Sequence, residues 1–136
     1  MSHPPPIQVE LIEGPLPPGP PMGARGGGAV LTFEGVVRGT EDGQPIAGLQ
    51  YQSYPPMTRR QLEGLARQVV AEFGLLDLRC QHSLGAVGAD SCSFRLTVVG
   101  RHRREAIDAT DAFIARMKQD VPLWKLVIPC PGADGE

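Results

Sequence analysis

The sequence predicts an α+β fold in which two helices cover an antiparallel or mixed sheet, in the order β-β-β-α-β-β-α-β. Two long segments, beginning near Thr58 and Glu105, carry apolar residues at helical spacing. Shorter segments before, between and after them alternate in polarity or are rich in β-branched and aromatic residues, which predicts strands. Clusters of proline and glycine separate these elements and mark the connections.

The first strand is predicted at residues 7–12, where apolar and polar side chains alternate. Residues 14–28 are so dense in proline and glycine that we expect no regular element there. Gly26 to Gly28 could suggest a phosphate loop, but the lysine and the serine or threonine of a P-loop are missing. The favoured interpretation of this segment is a flexible surface connection.

Two further strands are predicted at residues 28–39 and 46–54. The Asp42-Gly43 pair between them is typical of a hairpin turn. Arg38 lies at the exit of the first of these strands. An arginine in that place is more often a solvated rim residue than a ligand, so its position alone predicts little.

The first helix follows Pro55 and Pro56, with Thr58 as the expected N-cap and Gly74 as the expected stop. One face of the helix is apolar and the other carries arginine and glutamate, so the helix is interpreted as scaffold. Strands at residues 75–82 and 91–99 come next, joined by a loop that contains glycine.

The second helix is predicted over residues 105–121 and is stopped by Pro122. A proline cannot continue the helical hydrogen bonds, and it forces the preceding residue out of helical geometry. Lys118 and Lys125 lie on either side of this break. Because their long stems belong to two different elements, both ammonium groups can reach one pocket.

A second cationic cluster, residues 101–104, precedes this helix and contains His102 and Arg103. Unpaired amides and the helix dipole attract anions to a helix start, and the forked donors of arginine suit phosphate. A solubilising basic turn explains the same residues equally well. The sequence leaves open whether the two cationic clusters face one site.

The chain of 136 residues is predicted to form a single domain, 1–136, with an N-terminal strand and connection (1–27), a core (28–128) and a short tail (129–136). A formal net charge of −2 argues against nucleic-acid binding and, with locally clustered cations, favours a small anionic ligand. No segment resembles a membrane span or a signal peptide, so we expect no membrane association and a cytoplasmic location.

The three cysteines, Cys80, Cys92 and Cys130, form no CxxC pair, so neither a disulfide framework nor a zinc site is expected. Cys80 and Cys92 lie in apolar, strand-like runs and are expected to be buried. His3 and His82 have no chemical context in the sequence and are interpreted as incidental.

Five short segments occur in an informative order: FEGVVR at 33–38, YQSYPPM at 51–57, HSLG at 82–85, HRREA at 102–106 and KQDVPLWK at 118–125. Together they resemble the molybdopterin synthase large (catalytic) subunits, the MoaE-like family, from about residue 28 to residue 125. The resemblance implies an α/β hammerhead-type fold with an added small antiparallel sheet.

The resemblance also implies a function. The family is a sulfurtransferase whose large subunits form a central homodimer, and each binds a small ubiquitin-like subunit with a thiocarboxylated C-terminal Gly-Gly, which gives a heterotetramer. Two such tails deliver two sulfurs to cyclic pyranopterin monophosphate and form the dithiolene of molybdopterin. Because the sulfur arrives on the partner's tail, neither a metal nor a bound cofactor is implied.

Matched by position, Lys118 and Lys125 resemble the family's two active-site lysines. Arg38, His102 and Arg103 resemble its substrate-binding residues, and Phe33 and Trp124 are expected to be pocket walls. Sulfur transfer from an acyl donor develops negative charge on oxygen and sulfur, which a nearby ammonium group stabilises. Lys118 is expected closest to the thiocarboxylate, and Lys125 is expected to assist substrate binding and proton transfer.

The chain departs from the family pattern in three places. Residues 14–28 replace a helix after the first strand, the residues after Lys125 are apolar rather than acidic, and the C-terminal segment is short. A non-catalytic homologue that binds an anion or a partner is therefore the alternative. A phosphate-ester hydrolase ranks last because the chain lacks the carboxylate cluster of metal-assisted hydrolysis.

Overall fold

The computed structural model describes residues 6–19 and 21–131. Within them the chain forms seven strands and two helices: β1 (Ile7–Glu13), β2 (Ala29–Val36), β3 (Thr40–Glu41), β4 (Gln44–Ser53), α1 (Met57–Phe73), β5 (Asp77–Gly88), β6 (Cys92–Gly100), α2 (Arg103–Asp120) and β7 (Leu123–Pro129). The predicted α+β class is confirmed. The prediction missed only β3, because a two-residue strand beside a hairpin turn carries no periodic pattern.

The strands form a mixed sheet in the order β2-β6-β5-β4-β3, in which β1 also pairs with β5 and β7 with β4. The long strand β5 links two parts of this sheet: residues 78–84 pair in parallel with β1, and residues 85–88 pair antiparallel with β4. The change of partner falls at Gly85, whose φ is +77°. A side chain there would also meet the Glu13 carboxylate, so glycine is required on two counts.

Each part of the sheet has its own apolar cluster. Both helices pack on the part formed by β1, β5, β6 and β2, around a core that includes Leu62, Leu78, Leu96 and Phe113. The smaller cluster lies in the second part of the sheet and consists of Val37, Ile46, Leu49 and Val87, with Tyr51 packed against it. A gap between two separately packed clusters is a natural place for a cavity.

The proline- and glycine-rich segment contains no helix or strand in its described residues, as predicted, but it is anchored to the sheet. Leu16 is buried and its N–H donates to the Cys92 carbonyl at 2.9 Å. The buried Arg95 side chain donates to the Pro17 carbonyl at 2.8 Å and pairs with Glu34 at 2.7 Å. The surface connection is therefore attached to the sheet at Leu16 and Pro17, which supply hydrogen-bond partners to polar groups of the sheet.

All three cysteines are free. Cys80 is fully buried in the main core, and burial raises the pKa of its thiol to about 12, which makes it an unreactive apolar side chain. Neither α1 nor α2, the two helices of the described residues, is long and apolar enough to cross a membrane.

Candidate active site

A cavity of about 480 Å³ lies between the two apolar clusters. Its wall contains members of both, including Val37 and Leu49 from one and Phe94 and Met117 from the other. Three cationic side chains also line it, from three different elements: Arg38, Lys118 and Lys125. The fold therefore brings together residues that are far apart in the sequence.

Arg38 follows the end of β2, and its backbone is fixed through the neighbouring residue. The N–H of Val37 donates to the Ser91 carbonyl at 3.0 Å, and the carbonyl of Val37 accepts from the N–H of Asp90 at 2.7 Å. Val37 itself is 2% exposed. This short pairing with the β5–β6 turn holds the exposed Arg38 at the rim of the cavity.

The two lysines reach the cavity from either side of the break at Pro122. Lys118 lies in the last turn of α2, which ends at Asp120 and is closed by the Val121 N–H donating to the Met117 carbonyl at 3.1 Å. Lys125 lies on β7, directly opposite Tyr51 of β4. The predicted break thus places both ammonium groups on one cavity.

A buried hydroxyl holds this break in place. Thr58 was expected to be the N-cap of α1, but that helix begins at Met57 with Pro56 as its N-cap. Thr58 is fully buried, and its Oγ1 accepts a hydrogen bond from the Tyr54 N–H at 2.8 Å and donates one to the Pro122 carbonyl at 2.7 Å. Thr58 therefore joins the start of α1 to the turn between the two lysines.

The charge of the cavity is unbalanced. Among residues 6–19 and 21–131, no hydrogen bond or ion pair to another side chain satisfies Arg38, Lys118 or Lys125. Glu41 is the one acidic residue in the described wall. Three cations and one carboxylate in a concave apolar site favour binding of an anion.

The second cationic cluster lies elsewhere. His102 and Arg103 are exposed at the start of α2, about 22 Å along the helix axis from Lys118, since each residue rises 1.5 Å. Neither side chain lines the cavity of its own chain. The sequence left open whether the two cationic clusters face one site. Within one chain they do not.

The helix start already has an anion of its own. The Glu105 carboxylate accepts a hydrogen bond from the His102 backbone N–H at 3.2 Å and contacts the His102 ring nitrogen Nδ1 at 3.3 Å. The pKa of Glu105 lies below its usual value, first because its carboxylate accepts a hydrogen bond from its own backbone N–H. This cap also explains why α2 begins at Arg103 rather than at Glu105 as predicted.

Trp124 also lies outside the cavity. Neighbouring residues of a strand point to opposite faces, so Lys125 and Trp124 of β7 cannot both face the same site. Trp124 lines a shallower groove with Glu13, Gln52 and Leu84, and its ring meets Tyr54 edge-on with centroids 6.2 Å apart. The expectation that Trp124 is a wall of the cationic pocket does not match this geometry, whereas Phe33 does line the cavity.

Sequence reasoning missed His82. It was interpreted as incidental, yet its ring lines the cavity and is 6% exposed. Burial lowers the pKa of His82, and a hydrogen bond between Nδ1 and the Ser83 carbonyl at 2.8 Å partly opposes this effect. The usable signal was its membership of the HSLG segment, which the resemblance includes.

The cavity can hold an anion and stabilise negative charge that develops during a reaction. Among the residues that the structure describes, no group of three or more histidine, cysteine, aspartate or glutamate side chains could hold a metal ion. The fold and the site together define an α+β protein with a cationic pocket, whose cations come from the end of β2, the end of α2 and strand β7.

The family described as MoaE protein matches residues 21–120, and the chain belongs to this family. It is 35% identical over 98 residues to a molybdopterin synthase catalytic subunit from Thermoplasma volcanium, with 72% of each chain covered. It is 36% identical to the corresponding subunit from Oryza sativa subsp. japonica, of which it spans only 51%. The resemblance predicted from five segments is confirmed.

Solved structures agree with this assignment. Molybdopterin synthase from Staphylococcus aureus superposes with a TM-score of 0.71 at 29% identity, covering 77% of each chain. A complex of subunits 1 and 2 of molybdopterin-converting factor from Helicobacter pylori gives a TM-score of 0.70 at 24% identity, covering 93% of this chain and 92% of that one. The second likeness supports the fold alone.

Proposed function

We propose that this chain is the catalytic subunit of a molybdopterin synthase. It would transfer sulfur from the thiocarboxylated C-terminus of a small ubiquitin-like subunit to cyclic pyranopterin monophosphate and so form the molybdopterin dithiolene. The observation that carries the proposal is the cavity itself. In a member of this family, Arg38, Lys118 and Lys125 meet there, and no side chain of the described residues pairs with them.

The reaction explains why such a cavity needs cations. The substrate carries a phosphate and the incoming tail carries a thiocarboxylate, so two negative groups must approach each other. At each of two substrate carbons a carbon–sulfur bond replaces a carbon–oxygen bond, whose oxygen leaves as water or stays on the opened phosphate ester. The acyl–sulfur bond of each tail breaks by hydrolysis and leaves an ordinary carboxylate on the partner. Lys118 would stabilise the charge on the acyl oxygen and the sulfur, and Lys125 would assist substrate binding and supply or accept a proton.

Arg38 suits the phosphate, because a guanidinium group can donate two parallel hydrogen bonds to it. Phe33 is 41% exposed and lines the same cavity, where it can cover the flat part of the substrate. Glu41 lies in the same wall. Its carboxylate offsets one of the three cations, so the wall keeps a net positive charge towards the phosphate and the thiocarboxylate.

His102 and Arg103 fit the proposal only through assembly. They cannot reach the cavity of their own chain, so a role in substrate binding requires a second copy of the chain in a homodimer. Two small subunits would complete a heterotetramer. Trp124, Leu126 and Val127 each expose about half of their side chains on β7 and give apolar surface to such contacts.

The decisive experiment is a single-turnover assay with the purified chain, the thiocarboxylated small subunit and cyclic pyranopterin monophosphate. The control replaces the thiocarboxylate by an ordinary carboxylate on the same subunit. We expect molybdopterin with the first and none with the second. A folded chain that binds both ligands and forms no molybdopterin would refute the enzymatic function. The remaining alternative would be a non-catalytic homologue that binds an anion or a partner.

A further inference from the structure

Four aromatic side chains form a continuous row along one wall of the cavity. Phe33, Phe94, His82 and Tyr51 come from the successive neighbours β2, β6, β5 and β4, and all four line the cavity. Their ring centroids are 6.1 Å apart for Phe33 and Phe94, 5.9 Å for Phe94 and His82, and 5.1 Å for His82 and Tyr51. Such spacings are typical of packed aromatic rings.

The two middle rings are well fixed. His82 and Phe94 are directly opposed in the β5–β6 pairing, and both are 6% exposed. The hydroxyl of Tyr51 donates to Ser93 Oγ at 3.1 Å, which holds the end of the row beside the second apolar cluster. His82, Phe94 and Tyr51 are therefore packed in place, whereas the three cations of the cavity lie on long side chains that have no partner within residues 6–19 and 21–131.

The hydrogen bond of His82 also decides which ring nitrogen faces a ligand. A carbonyl oxygen only accepts, so the Nδ1 atom beside the Ser83 carbonyl must carry the proton in the neutral ring. Nε2 is then an acceptor. Among residues 6–19 and 21–131, Nε2 has no hydrogen-bond partner. It is not completely buried either, so part of it is accessible to a ligand.

We propose that the aromatic row binds the flat heterocyclic part of the substrate, and that Nε2 of His82 accepts a hydrogen bond from one of its N–H groups. This inference rests on the proposed function and assigns the two halves of the substrate to two walls. Arg38, Lys118 and Lys125 hold the anionic half. The row holds the uncharged half and makes His82 a specificity-determining residue.

The choice of a neutral N–H donor follows from the surroundings of His82. A lone-pair acceptor repels the oxygens of the substrate's cyclic phosphate diester and of the thiocarboxylate, which carry no proton at neutral pH. The apolar aromatic rings on either side, one tilted and one edge-on to His82, favour a planar ring over a compact anion. A heterocycle with ring N–H or amino groups satisfies both requirements, and a site built to pair such a group rejects analogues that lack it.

The test compares two ligands, cyclic pyranopterin monophosphate and inorganic phosphate, without the small subunit. His82→Phe keeps a ring between Phe94 and Tyr51 but removes the acceptor, whereas His82→Gln keeps an acceptor. We expect His82→Phe to weaken binding of the pterin ligand roughly 10-fold and His82→Gln to weaken it less than about 3-fold. Phosphate binding should be the same in all three proteins.

Unchanged pterin binding in His82→Phe would overturn the inference. An equal loss for both ligands would also overturn it, since that is the result of a purely structural role. If His82→Phe does not fold, ¹⁵N NMR of the wild-type histidine rings decides: Nε2 of His82 should shift with the pterin ligand and not with phosphate, and no shift would refute the proposal.

These measurements are independent of turnover. A wild-type chain that binds the pterin ligand through His82 but forms no molybdopterin would refute the proposed enzyme and keep the inference. A chain that forms molybdopterin equally well with His82→Phe, at substrate concentrations below saturation, would keep the enzyme and refute the inference. Failure of the wild type to bind the pterin ligand would refute both.

Discussion

The two ends of α2 carry similar clusters of cationic residues, but they differ in what surrounds them. At the C-terminal end, Lys118 lines a cavity that also receives Lys125 and Arg38 from other elements, and none of the three has a partner among the described side chains. At the N-terminal end, His102 is exposed and the carboxylate of Glu105 caps the helix. Convergence of several elements, rather than local charge density, distinguishes a binding site from a basic turn.

The difference has a simple physical origin. A helix start attracts negative charge, and a glutamate three residues along the helix satisfies that attraction within the chain. At the helix end, Pro122 stops the backbone and a strand follows, so Lys118 and Lys125 reach one cavity from two elements, and Glu41 is the one acidic residue of its described wall. The cations that several elements bring to one cavity are therefore those at the C-terminal end, whereas the start of α2 carries its own carboxylate.

The largest expected effect is the loss of Lys118. Lys118→Met should lower the single-turnover rate by about 10²–10³-fold, the usual cost of removing one group that stabilises developing charge. Arg116→Met is the matched control, because it removes a cation two residues away on α2 that instead pairs with Glu72 at 2.9 Å. Similar rates for Lys118→Met and the wild type would refute the claim that the cavity at the C-terminal end of α2 is the reaction site.

The second prediction asks whether the N-terminal cluster acts on another copy. Arg103→Gln and Lys118→Met should each have strongly reduced activity alone, but a mixed homodimer would keep one intact site made from both chains. Mixing the two variants after dissociation should restore up to about a quarter of wild-type activity, as expected for random pairing in a two-fold dimer. No recovery in verified mixed dimers would mean that Arg103 does not serve the site of its partner.

The third prediction concerns the turn that separates the lysines. Thr58→Val should lower the free energy of unfolding by about 1–3 kcal/mol, because it leaves the partly buried Tyr54 N–H and Pro122 carbonyl without the hydroxyl that pairs with them. Thr110→Val is the control, since that buried hydroxyl bonds only to the Ala106 carbonyl within its own helix. Denaturant unfolding measures both, and equal losses would show that the turn has no special dependence on Thr58.

The smallest effect is expected at the capped end. Because the pKa of Glu105 is lowered in the folded chain, its ionised form stabilises the fold above the usual carboxyl pKa, and this contribution disappears as the pH falls through the lowered value. Glu105→Gln should therefore lower Tm at pH 7, and the difference should vanish in acid. Asp111→Asn, an exposed carboxylate farther along α2, should change Tm less at both pH values.

Much of the fold could be predicted because its signals are local. The apolar stripe of each helix, the stop at Gly74 and the break at Pro122 follow from residues within a few positions of each other. Thr58 shows where this reasoning fails. A threonine beside a helix start predicts a cap, but its partner is Pro122, 64 residues away, and no local pattern carries that information.

The site shows the same division. Family resemblance selected Arg38, Lys118 and Lys125, which the structure brings together, and also His102, Arg103 and Trp124, which it places elsewhere on the chain. His82 was dismissed because a lone histidine in a strand has no visible context. Its context is Phe94 across one strand pair and Tyr51 across another, which exists only once β5 has found its neighbours.

By itself the sequence determined the fold class, the family and the two elements that flank Pro122, since helical and strand periods, proline breaks and short motifs are properties of neighbouring residues. Only the tertiary structure decided which cations share a cavity, which carboxylate caps the start of α2 and which nitrogen of His82 can accept a hydrogen bond. Those outcomes depend on strand order and on contacts across the sheet, where residues distant in the chain first meet.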